Sequence, residues 1–270
     1  FFQAEDGIRE VERSRGLGDV YKRQEMERLK YDQNLASDIV TSAAIGGIVG
    51  SKIYYLIENI DRVIVDPYGM IFSGAGLVFL GGLMGGTIGV TIVLRKNKLP
   101  WLKFADIIAP LLMIGYSIGR IGCFLVGDDY GLPTKSFLGM SFESGAPPTT
   151  FESITYNYPW LDLSDWNAGD VITVYPTQII ETIIGFGIFA FLWRNRVNIV
   201  NQGSLFFTYL IVAGMERFFI EFIRLNPKYI WIVNDVIGFS GAQVISIIMM
   251  SIGIYLLKNP PQNSETKQAT

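Results

Sequence analysis

Long apolar runs alternate with short polar stretches from Glu25 to the end of the chain. A helix needs about 20 consecutive, predominantly apolar residues to cross the hydrocarbon core of a bilayer. Six runs reach or approach this length, at residues 35–57, 74–94, 104–126, 176–193, 204–222 and 236–257. The pattern therefore predicts an all-α integral membrane protein with six transmembrane helices. The charged residues inside these runs are expected to face the bundle interior: Asp38, Lys52, Asp106 and Arg120.

The distribution of lysine and arginine predicts how these helices are oriented. Cytoplasmic loops carry an excess of basic residues. With residues 25–34 inside, the inner loops and the C-terminal tail contain ten lysine or arginine residues, and the outer loops contain three besides Arg224. The C-terminus is therefore expected on the cytoplasmic side. Residues 127–175 are expected to form an ordered outer cap. This segment is rich in Asp, Glu, Pro and Trp, and loops of this length usually have a function unless they are disordered.

The first 24 residues differ from the rest of the chain. They hold five basic and five acidic residues, show no helical or strand periodicity, and resemble translated sequencing-adapter read-through. We expect residues 1–24 to be a non-native or disordered tail and residues 25–258 to be the transmembrane domain. Residues 259–270 are expected to be a cytoplasmic tail.

Composition narrows the possible chemistry. Half of the residues are apolar and 17% are charged, against roughly 25% charged in a typical soluble domain. A net charge of −3 and a pI near 5.1 argue against nucleic-acid binding. One cysteine and no histidine exclude a multi-cysteine zinc site and nucleophiles activated by histidine. We expect no metal or cofactor, so any reaction must use Arg, Lys, Asp, Glu, Tyr or the single thiol.

Glycines recur at helical spacing in the first two predicted helices. Gly81 and Gly85 form one row, Gly82 begins a second, and Gly46 and Gly50 repeat the spacing in the preceding helix. Small residues at this spacing allow helix backbones to approach closely in lipid. The rows indicate either helix packing alone or a groove that admits an acyl chain or head group.

Residues 119–131 combine an arginine, a cysteine and two aspartates near the outer end of the third predicted helix. The Arg120 guanidinium could extend to the interface or pair with Asp128. Alternatively it could bind an anion, because the guanidinium fork fits phosphate with two hydrogen bonds. Cys123 lies one turn after Gly119, where a free cysteine is usually a small buried residue.

Two further helices carry charge at helical spacing. Arg217, Glu221 and Arg224 share one face of an apolar helix, and Gln178 and Glu181 lie in the opening turns of another. Buried ion pairs contribute little to stability, so this polar stripe favours a cavity with an anionic ligand. The same residues would suit an anionic lipid head group or the substrate of a small-anion transporter.

Several motifs of the chain are similar to those of a known family. From residue 38 to residue 257 the chain resembles the prolipoprotein diacylglyceryl transferases. The resemblance rests on the strings GSKIYYL, SGAGLVFLGGLMGG, DIIAP, GRIGCFLVGDDYG, YPTQIIE, ERFFIEFIR and GAQVIS, in family order and at family-like spacing.

The resemblance implies an activity and its partners. The family transfers the diacylglyceryl group of phosphatidylglycerol to the lipobox cysteine thiol of a prolipoprotein, giving a thioether and glycerol phosphate. The implied partners are phosphatidylglycerol, prolipoprotein signal peptides with a lipobox cysteine and the lipid bilayer. The implied location is the bacterial inner (cytoplasmic) membrane, with several membrane passes.

The resemblance also implies catalytic roles for four residues. Arg120 and Arg217 would hold the phosphate and stabilise charge on the leaving group. Glu221 would orient Arg217, and Asp128 would anchor Arg120 or the glycerol hydroxyls. Substrate-binding roles are implied for Gly131, Arg224, Gln178, Glu181, Gly81, Gly82, Cys123 and Asp129.

Three departures from the family pattern leave alternatives open. Leu80 stands where the family often has histidine, and Cys123 stands where it often has asparagine. The family also begins with a spanning helix whose place is taken here by the adapter-like segment, so we expect an N-terminally truncated variant. The alternatives are a catalytically altered homologue that binds lipid without transferring it, and a small-anion membrane transporter.

Overall fold

The computed structural model describes residues 33–73, 78–199, 201–226, 230–232 and 237–261. Residues 1–24, predicted to be a non-native tail, and residues 262–270 of the predicted C-terminal tail lie outside this set. The described helices are α1 (Gln33–Glu58), α2 (Ile60–Val65), α3 (Pro67–Phe72), α4 (Phe79–Lys96), α5 (Trp101–Val126), α6 (Phe151–Asn157), α7 (Thr177–Asn195), α8 (Ser204–Ile220) and α9 (Gly241–Lys258). Two short strands, β1 (Ile230–Ile232) and β2 (Ile237–Phe239), lie between α8 and α9.

A helix lies at each of the six predicted positions, namely α1, α4, α5, α7, α8 and α9. Among the described residues, four segments are long and apolar enough to cross a membrane: Ser37–Glu58, Trp101–Val126, Thr177–Asn195 and Gly241–Lys258. The chain is therefore a mostly helical, multi-pass membrane protein.

The last predicted run begins too early. The run was predicted from residue 236, but the helix starts at Gly241, and Ile237–Phe239 pairs with Ile230–Ile232 in an antiparallel hairpin. The Ser240 side chain accepts from the Gln243 backbone N–H, and the Gln243 side chain accepts from the Ser240 N–H. This capping box satisfies two backbone donors and fixes the start of the helix. The chain is mostly helical, and this short hairpin lies between α8 and α9.

The chain divides into two compact units, Phe1–Trp101 and Leu102–Thr270. In the first unit α1 packs against α4 along the predicted glycine rows. A Cβ atom on Gly50 would lie 2.8 Å from the Gly85 Cα, and one on Gly85 would lie 2.8 Å from the Gly50 Cα. Only glycine allows the two backbones to come this close.

The four charged residues inside the predicted runs have different environments. Asp106 and Arg120 are buried, as expected for charges that face the bundle interior. Lys52 is partly buried, and its Nζ donates to the Ser73 carbonyl and hydroxyl, both at 2.9 Å. The expectation is wrong for Asp38, which is exposed near the start of α1.

In the second unit, Asp106 of α5 connects two helices. Its carboxylate accepts from the Gly203 N–H at 2.6 Å and from the Phe206 N–H at 2.8 Å. The first N–H groups of a helix have no partner within the helix. The buried carboxylate satisfies two of them and fixes the start of α8 beside α5.

Residues 127–175 form an ordered segment with an apolar core of its own. Tyr130, Ile154, Leu163, Ile172 and Val174 are buried together within it. Short backbone bridges pair Pro133 and Met140 with Val174, and Thr150 with Val171. The ends of this segment join α5 and α7, so its folding determines where the residues after α5 lie.

Candidate active site

Glu181 lies at the centre of a group of arginines in the second unit. Its carboxylate forms ion pairs with Arg120 Nε, with Arg224 Nη1 at 3.1 Å and with Arg217 Nη1 at 3.6 Å. The Glu181 side chain is fully buried, and those of Arg120 and Arg224 are 8% exposed. We call the following six residues the arginine cluster: Arg120, Arg217, Arg224, Glu181, Glu221 and Asp129.

Asp129 joins two of these arginines from the other side. One carboxylate oxygen lies 2.9 Å from Arg120 Nη1 and the other lies 3.0 Å from Arg224 Nη2. Burial by itself would raise the pKa of Asp129, but the positive charges of Arg224 and Arg120 outweigh it and hold that pKa below its usual value of 3.8. Asp129 is therefore ionised at neutral pH.

The end of α5 places Asp129 over the arginines. Gly127 and Asp129 both have left-handed backbone angles, with φ of +71° and +56°. The Gly127 and Asp128 N–H groups both bond to the Cys123 carbonyl, at 2.9 and 3.1 Å, which closes the helix. The tight turn that follows directs the Asp129 side chain back toward Arg120.

The chain around Gly131 is held on two sides. The Gly131 N–H donates to the Tyr175 carbonyl, and the Leu132 N–H donates to the Ile223 carbonyl, both at 2.8 Å. A Cβ atom on Gly131 would lie 2.8 Å from Thr177 Cγ2, so only glycine fits here. These bonds place the ends of α5, α7 and α8 side by side.

Arg217, Glu221 and Arg224 were predicted on one helical face, and this prediction is wrong, because α8 ends at Ile220. Only Arg217 lies in the helix, whereas Glu221 lies in the turn that follows and Arg224 forms a short backbone bridge with Gly131. Arg217 Nη2 lies 3.1 Å from Glu221 Oε2, and Arg224 Nε lies 3.9 Å from the same oxygen. Asn226 donates to Glu221 Oε1 at 2.8 Å. Arg217 is the most accessible arginine of the cluster, with 30% of its side chain exposed.

The first turn of α7 holds the backbone of the turn after α5. Thr177 Oγ1 donates to the Asp129 carbonyl at 3.0 Å, and Gln178 Nε2 donates to the Asp128 carbonyl at 2.6 Å. Both side chains are fully buried. Gln178 Oε1 is buried and has no hydrogen-bond partner among the described residues.

Cys123 lies at the edge of the cluster. Arg120 Nη1 is 3.4 Å from its sulfur, and the sulfur and the nearest oxygens of Asp128 and Asp129 lie within 4.8 Å of one another. Three such groups could hold a metal ion by distance alone. Since Arg120 and Arg224 already contact Asp129, a cation there would meet two guanidinium charges. The arrangement suits an anion better than a metal.

Most of the predicted site residues come together in this unit. One expected pairing is wrong, because Arg120 pairs with the Asp129 side chain rather than with that of Asp128. The left-handed turn explains the difference, since it directs Asp129 toward the arginines. The roles predicted for Asp128, Cys123 and the other site residues stay predictions.

Gly81 and Gly82 lie in α4 of the first unit. A Cβ atom on Gly82 would lie 2.6 Å from Ser51 Oγ, and one on Gly81 would meet the Gly50 carbonyl and Tyr54. Both glycines therefore have a packing function between α1 and α4. Their predicted contribution to substrate binding stays a prediction.

Several polar residues that contact the arginine cluster or lie near it were not predicted from the sequence. Asn226 and Thr177 gave no signal, because their contacts depend on loops that return to the cluster. Glu216 was visible as a carboxylate in an apolar helix, and it is buried, accepting from the Tyr116 hydroxyl at 3.2 Å. Glu216 is the charged residue lining a groove of about 430 Å³ between α7 and α8, whose other walls are apolar.

These features define a multi-pass helical membrane protein with a buried arginine–carboxylate cluster at the ends of three helices. The chain matches the model of the family described as prolipoprotein diacylglyceryl transferase over residues 16–258. It therefore belongs to the prolipoprotein diacylglyceryl transferase family.

Individual relatives agree with this assignment. The chain is 32% identical over 227 residues to a phosphatidylglycerol–prolipoprotein diacylglyceryl transferase of Clostridium tetani, covering 84% of this chain and 81% of the relative. It is 33% identical over 231 residues to phosphatidylglycerol–prolipoprotein diacylglyceryl transferase 2 of Clostridium perfringens, covering 84% and 79%. A Chlorobaculum tepidum enzyme of the same name is 32% identical over 253 residues, covering 88% and 79%.

Proposed function

We propose that this chain transfers the diacylglyceryl group of phosphatidylglycerol to the lipobox cysteine thiol of prolipoproteins, the first step of bacterial lipoprotein maturation. Membership of the transferase family and the names of the relatives support this activity. The observation that carries the proposal is Glu181, a fully buried carboxylate that contacts three arginines and so fixes their guanidinium groups in advance of the substrate.

The reaction places specific demands on the site. Because the product is a thioether, the substrate sulfur must form a bond to the diacylglyceryl carbon, and the bond from that carbon to the phosphate oxygen must break. The electron pair of the broken bond stays on the phosphate, so negative charge grows on glycerol phosphate as it leaves. Fixed positive groups at this position lower the barrier, because they do not have to reorganise as the charge develops.

The arginines are suited to this task. Arg120 is held by Glu181 and directs its remaining N–H groups toward Asp129 and Cys123. Arg217 is held by Glu181 and Glu221 and is still 30% exposed. We infer that Arg120 and Arg217 bind the phosphate and that Glu221 orients Arg217. We infer that Arg224 contributes to the same phosphate site, where Asp129 contacts it in the ligand-free chain.

Residues around the arginine cluster have supporting roles that their positions suggest. Gly131 permits the close backbone approach beside Thr177, and Gln178 supports the substrate site by holding the Asp128 carbonyl of the turn after α5. Asp128 and Cys123 lie at the edge of the same space. The thiol proton passes to a carboxylate, to the phosphate or to solvent, since the chain has no histidine. A free thiol with a pKa near 8.5 does not require a strong base.

The groove between α7 and α8 is suited to an acyl chain. Ile184, Ile188, Phe219 and Ile223 contribute to its apolar walls. Ile223 directly precedes Arg224 in the chain, so the groove adjoins the arginine cluster. A lipid could thus place its phosphate at the arginines and one hydrocarbon chain in the groove.

The arrangement in the membrane belongs to the same proposal. We infer six membrane crossings within a transmembrane domain of residues 25–258, in the bacterial inner membrane. The ordered segment 127–175 then lies on the periplasmic side, and residues 259–270 lie in the cytoplasm. The excess of basic residues in the predicted inner loops supports this orientation.

The direct test is a mass spectrum of a lipobox-cysteine peptide. The peptide is incubated with phosphatidylglycerol and the purified chain in detergent, and we expect a diacylglyceryl mass increment on the thiol. Arg217→Ala and Arg120→Ala should each lower the transfer rate by about 100-fold or more, the effect typical of losing one group that stabilises developing charge.

Arg95→Ala is the matched control, because Arg95 is exposed at the end of α4. It should retain the activity of the unsubstituted chain. An unmodified peptide from folded protein that still binds phosphatidylglycerol would contradict transfer and favour a lipid-binding homologue. Arginine-dependent anion flux across liposomes, without consumption of phosphatidylglycerol, would favour a transporter.

A further inference from the structure

The charges of the arginine cluster balance without any substrate. Arg120, Arg217 and Arg224 contribute three positive charges, and Glu181, Glu221 and Asp129 contribute three negative charges. An anionic phosphate added to this set would leave one negative charge in excess in a largely buried site. Such an excess is costly where the surroundings screen it poorly. Displacement of one carboxylate by the phosphate would restore the balance.

Asp129 is the carboxylate that is free to move. Its side chain is 51% exposed, whereas those of Glu181 and Glu221 are fully buried. Its backbone is held independently of its carboxylate, because the Asp129 carbonyl accepts from Thr177 Oγ1 at 3.0 Å and from Arg120 Nη2 at 3.3 Å. The side chain can thus turn toward solvent while the chain around it keeps its place.

The two arginines would remain in position without Asp129. Arg120 Nε and Arg224 Nη1 both pair with Glu181, which leaves Arg120 Nη1 and Arg224 Nη2 facing Asp129. Each of these nitrogens contacts a different oxygen of the Asp129 carboxylate. Two non-bridging oxygens of a phosphate can form the same pair of charge-assisted bonds.

We propose that Asp129 is an internal anion that occupies the phosphate position between Arg120 and Arg224 in the ligand-free protein and is displaced by the phosphate of the lipid substrate. Asp129 thereby sets the affinity of the site. It keeps the arginines neutralised and spaced before the lipid binds, and it competes with both the lipid phosphate and the glycerol phosphate product. The inference rests on the proposed transferase function for the identity of the displacing anion.

Binding of a soluble phosphate ligand tests the inference without turnover. The full chain in phosphatidylcholine nanodiscs is titrated calorimetrically with glycerol phosphate and, separately, with inorganic phosphate. We expect Asp129→Asn to bind glycerol phosphate roughly threefold to tenfold more tightly, a size set by the loss of a half-exposed competing carboxylate. Asparagine tolerates the left-handed backbone at this position, and Asp129→Gly, which tolerates it better still, should give the same gain.

Asp165→Asn is the matched control. Asp165 is an exposed aspartate of the same 127–175 segment, outside the cluster, so its substitution should leave the affinity unchanged. In the transfer assay Asp129→Asn should lower the KM for phosphatidylglycerol and strengthen inhibition by glycerol phosphate, with no increase in kcat. A residue that merely supports the structure would instead raise KM and weaken the binding of glycerol phosphate.

The outcomes separate the two proposals. Unchanged or weaker glycerol phosphate binding in both Asp129 variants overturns the internal anion, whether or not the chain transfers lipid. Tighter binding of inorganic phosphate alone by the Asp129 variants also overturns the internal anion, because the site would then exclude the head group. Tighter glycerol phosphate binding in a chain that transfers no lipid supports the internal anion and contradicts the transferase function.

Discussion

Glu181 interacts with Arg120, Arg217 and Arg224 from a position with no solvent exposure. Three guanidinium groups repel one another, and at a buried position water screens that repulsion poorly. One carboxylate that contacts all three guanidinium groups offsets the repulsion and fixes the orientation of each group. The residue is therefore a positioning residue for the arginines, and the arginines are the groups proposed to touch the substrate.

Loss of this charge should affect both stability and activity. We expect Glu181→Gln to destabilise the chain by about 3–5 kcal/mol, the usual result of removing one partner of a buried ion pair. Thermal unfolding in detergent and the peptide transfer assay measure the two effects. Glu143→Gln, at an exposed glutamate of the 127–175 segment, should change neither. A Glu181→Gln protein with normal melting temperature and activity would contradict this role.

Asp129 gives a pH dependence of defined sign. Because Arg224 and Arg120 lower its pKa below 3.8 in the folded chain, its ion pairs stabilise the ligand-free protein fully above that value. The contribution is lost only as the pH falls through the lowered folded pKa. We expect the difference in melting temperature between the unsubstituted chain and Asp129→Asn to stay constant from about pH 5 to 8 and to shrink below about pH 4. A difference that already disappears near pH 6 would contradict the assigned ion pairs.

At the scale of elements, α1 and α4 pack through backbone rather than through interlocking large side chains. Gly46, Gly50, Gly81 and Gly85 each face a carbonyl group of the opposite helix at a distance that leaves no room for a methyl group. Association in lipid depends on such close contact, since lipid chains are as apolar as the helix surfaces. The glycine rows are thus the main determinant of packing in the first unit.

A methyl group in this row should separate the two helices. We expect Gly85→Ala to destabilise the chain by about 1–3 kcal/mol, because its Cβ would meet the Gly46 carbonyl and the Gly50 Cα. Gly47→Ala is the control within α1, since its Cβ would lie 3.6 Å from the Gly82 carbonyl, an ordinary contact. Thermal unfolding in detergent compares the two variants. Equal melting temperatures would show that the close approach is not required.

At the scale of the whole molecule, the distribution of basic residues predicts how the chain is oriented in the membrane. The loops predicted to be cytoplasmic carry ten basic residues against four in the outer loops, with Arg224 included. The proposed orientation puts residues 127–175 on the periplasmic side. This location agrees with the position of the arginine cluster at the ends of α5 and α7, where the segment begins and ends.

Thiol labelling in spheroplasts checks the orientation. In a Cys123→Asn background, which removes the single native cysteine, Ser136→Cys and Lys96→Cys each introduce one exposed thiol. A membrane-impermeant maleimide should label the Ser136→Cys protein in intact spheroplasts. It should label the Lys96→Cys protein only after the membrane is disrupted. The reverse pattern would place the 127–175 segment in the cytoplasm.

Much of the fold was predictable from local pattern. Apolar length located the helices to within a few residues for α1, α5, α7 and α8, because the bilayer imposes a minimum length on any spanning helix. The start of α9 was misplaced because hydropathy does not distinguish an apolar strand from a helix over a few residues. The capping box of Ser240 and Gln243 was the local signal for the true start.

The sequence by itself determined the membrane class, the family and the residues that form the arginine cluster. Apolar length, glycine spacing and the spacing of charged residues are properties of local order along the chain. Only the tertiary structure decided how those charges pair. Arg120 bonds to Asp129 rather than to Asp128 because Gly127 and Asp129 adopt left-handed angles. Glu181 reaches three arginines because the ends of α5, α7 and α8 meet around Gly131. Contacts between residues far apart in sequence depend on that meeting of elements, and no periodicity along the chain encodes it.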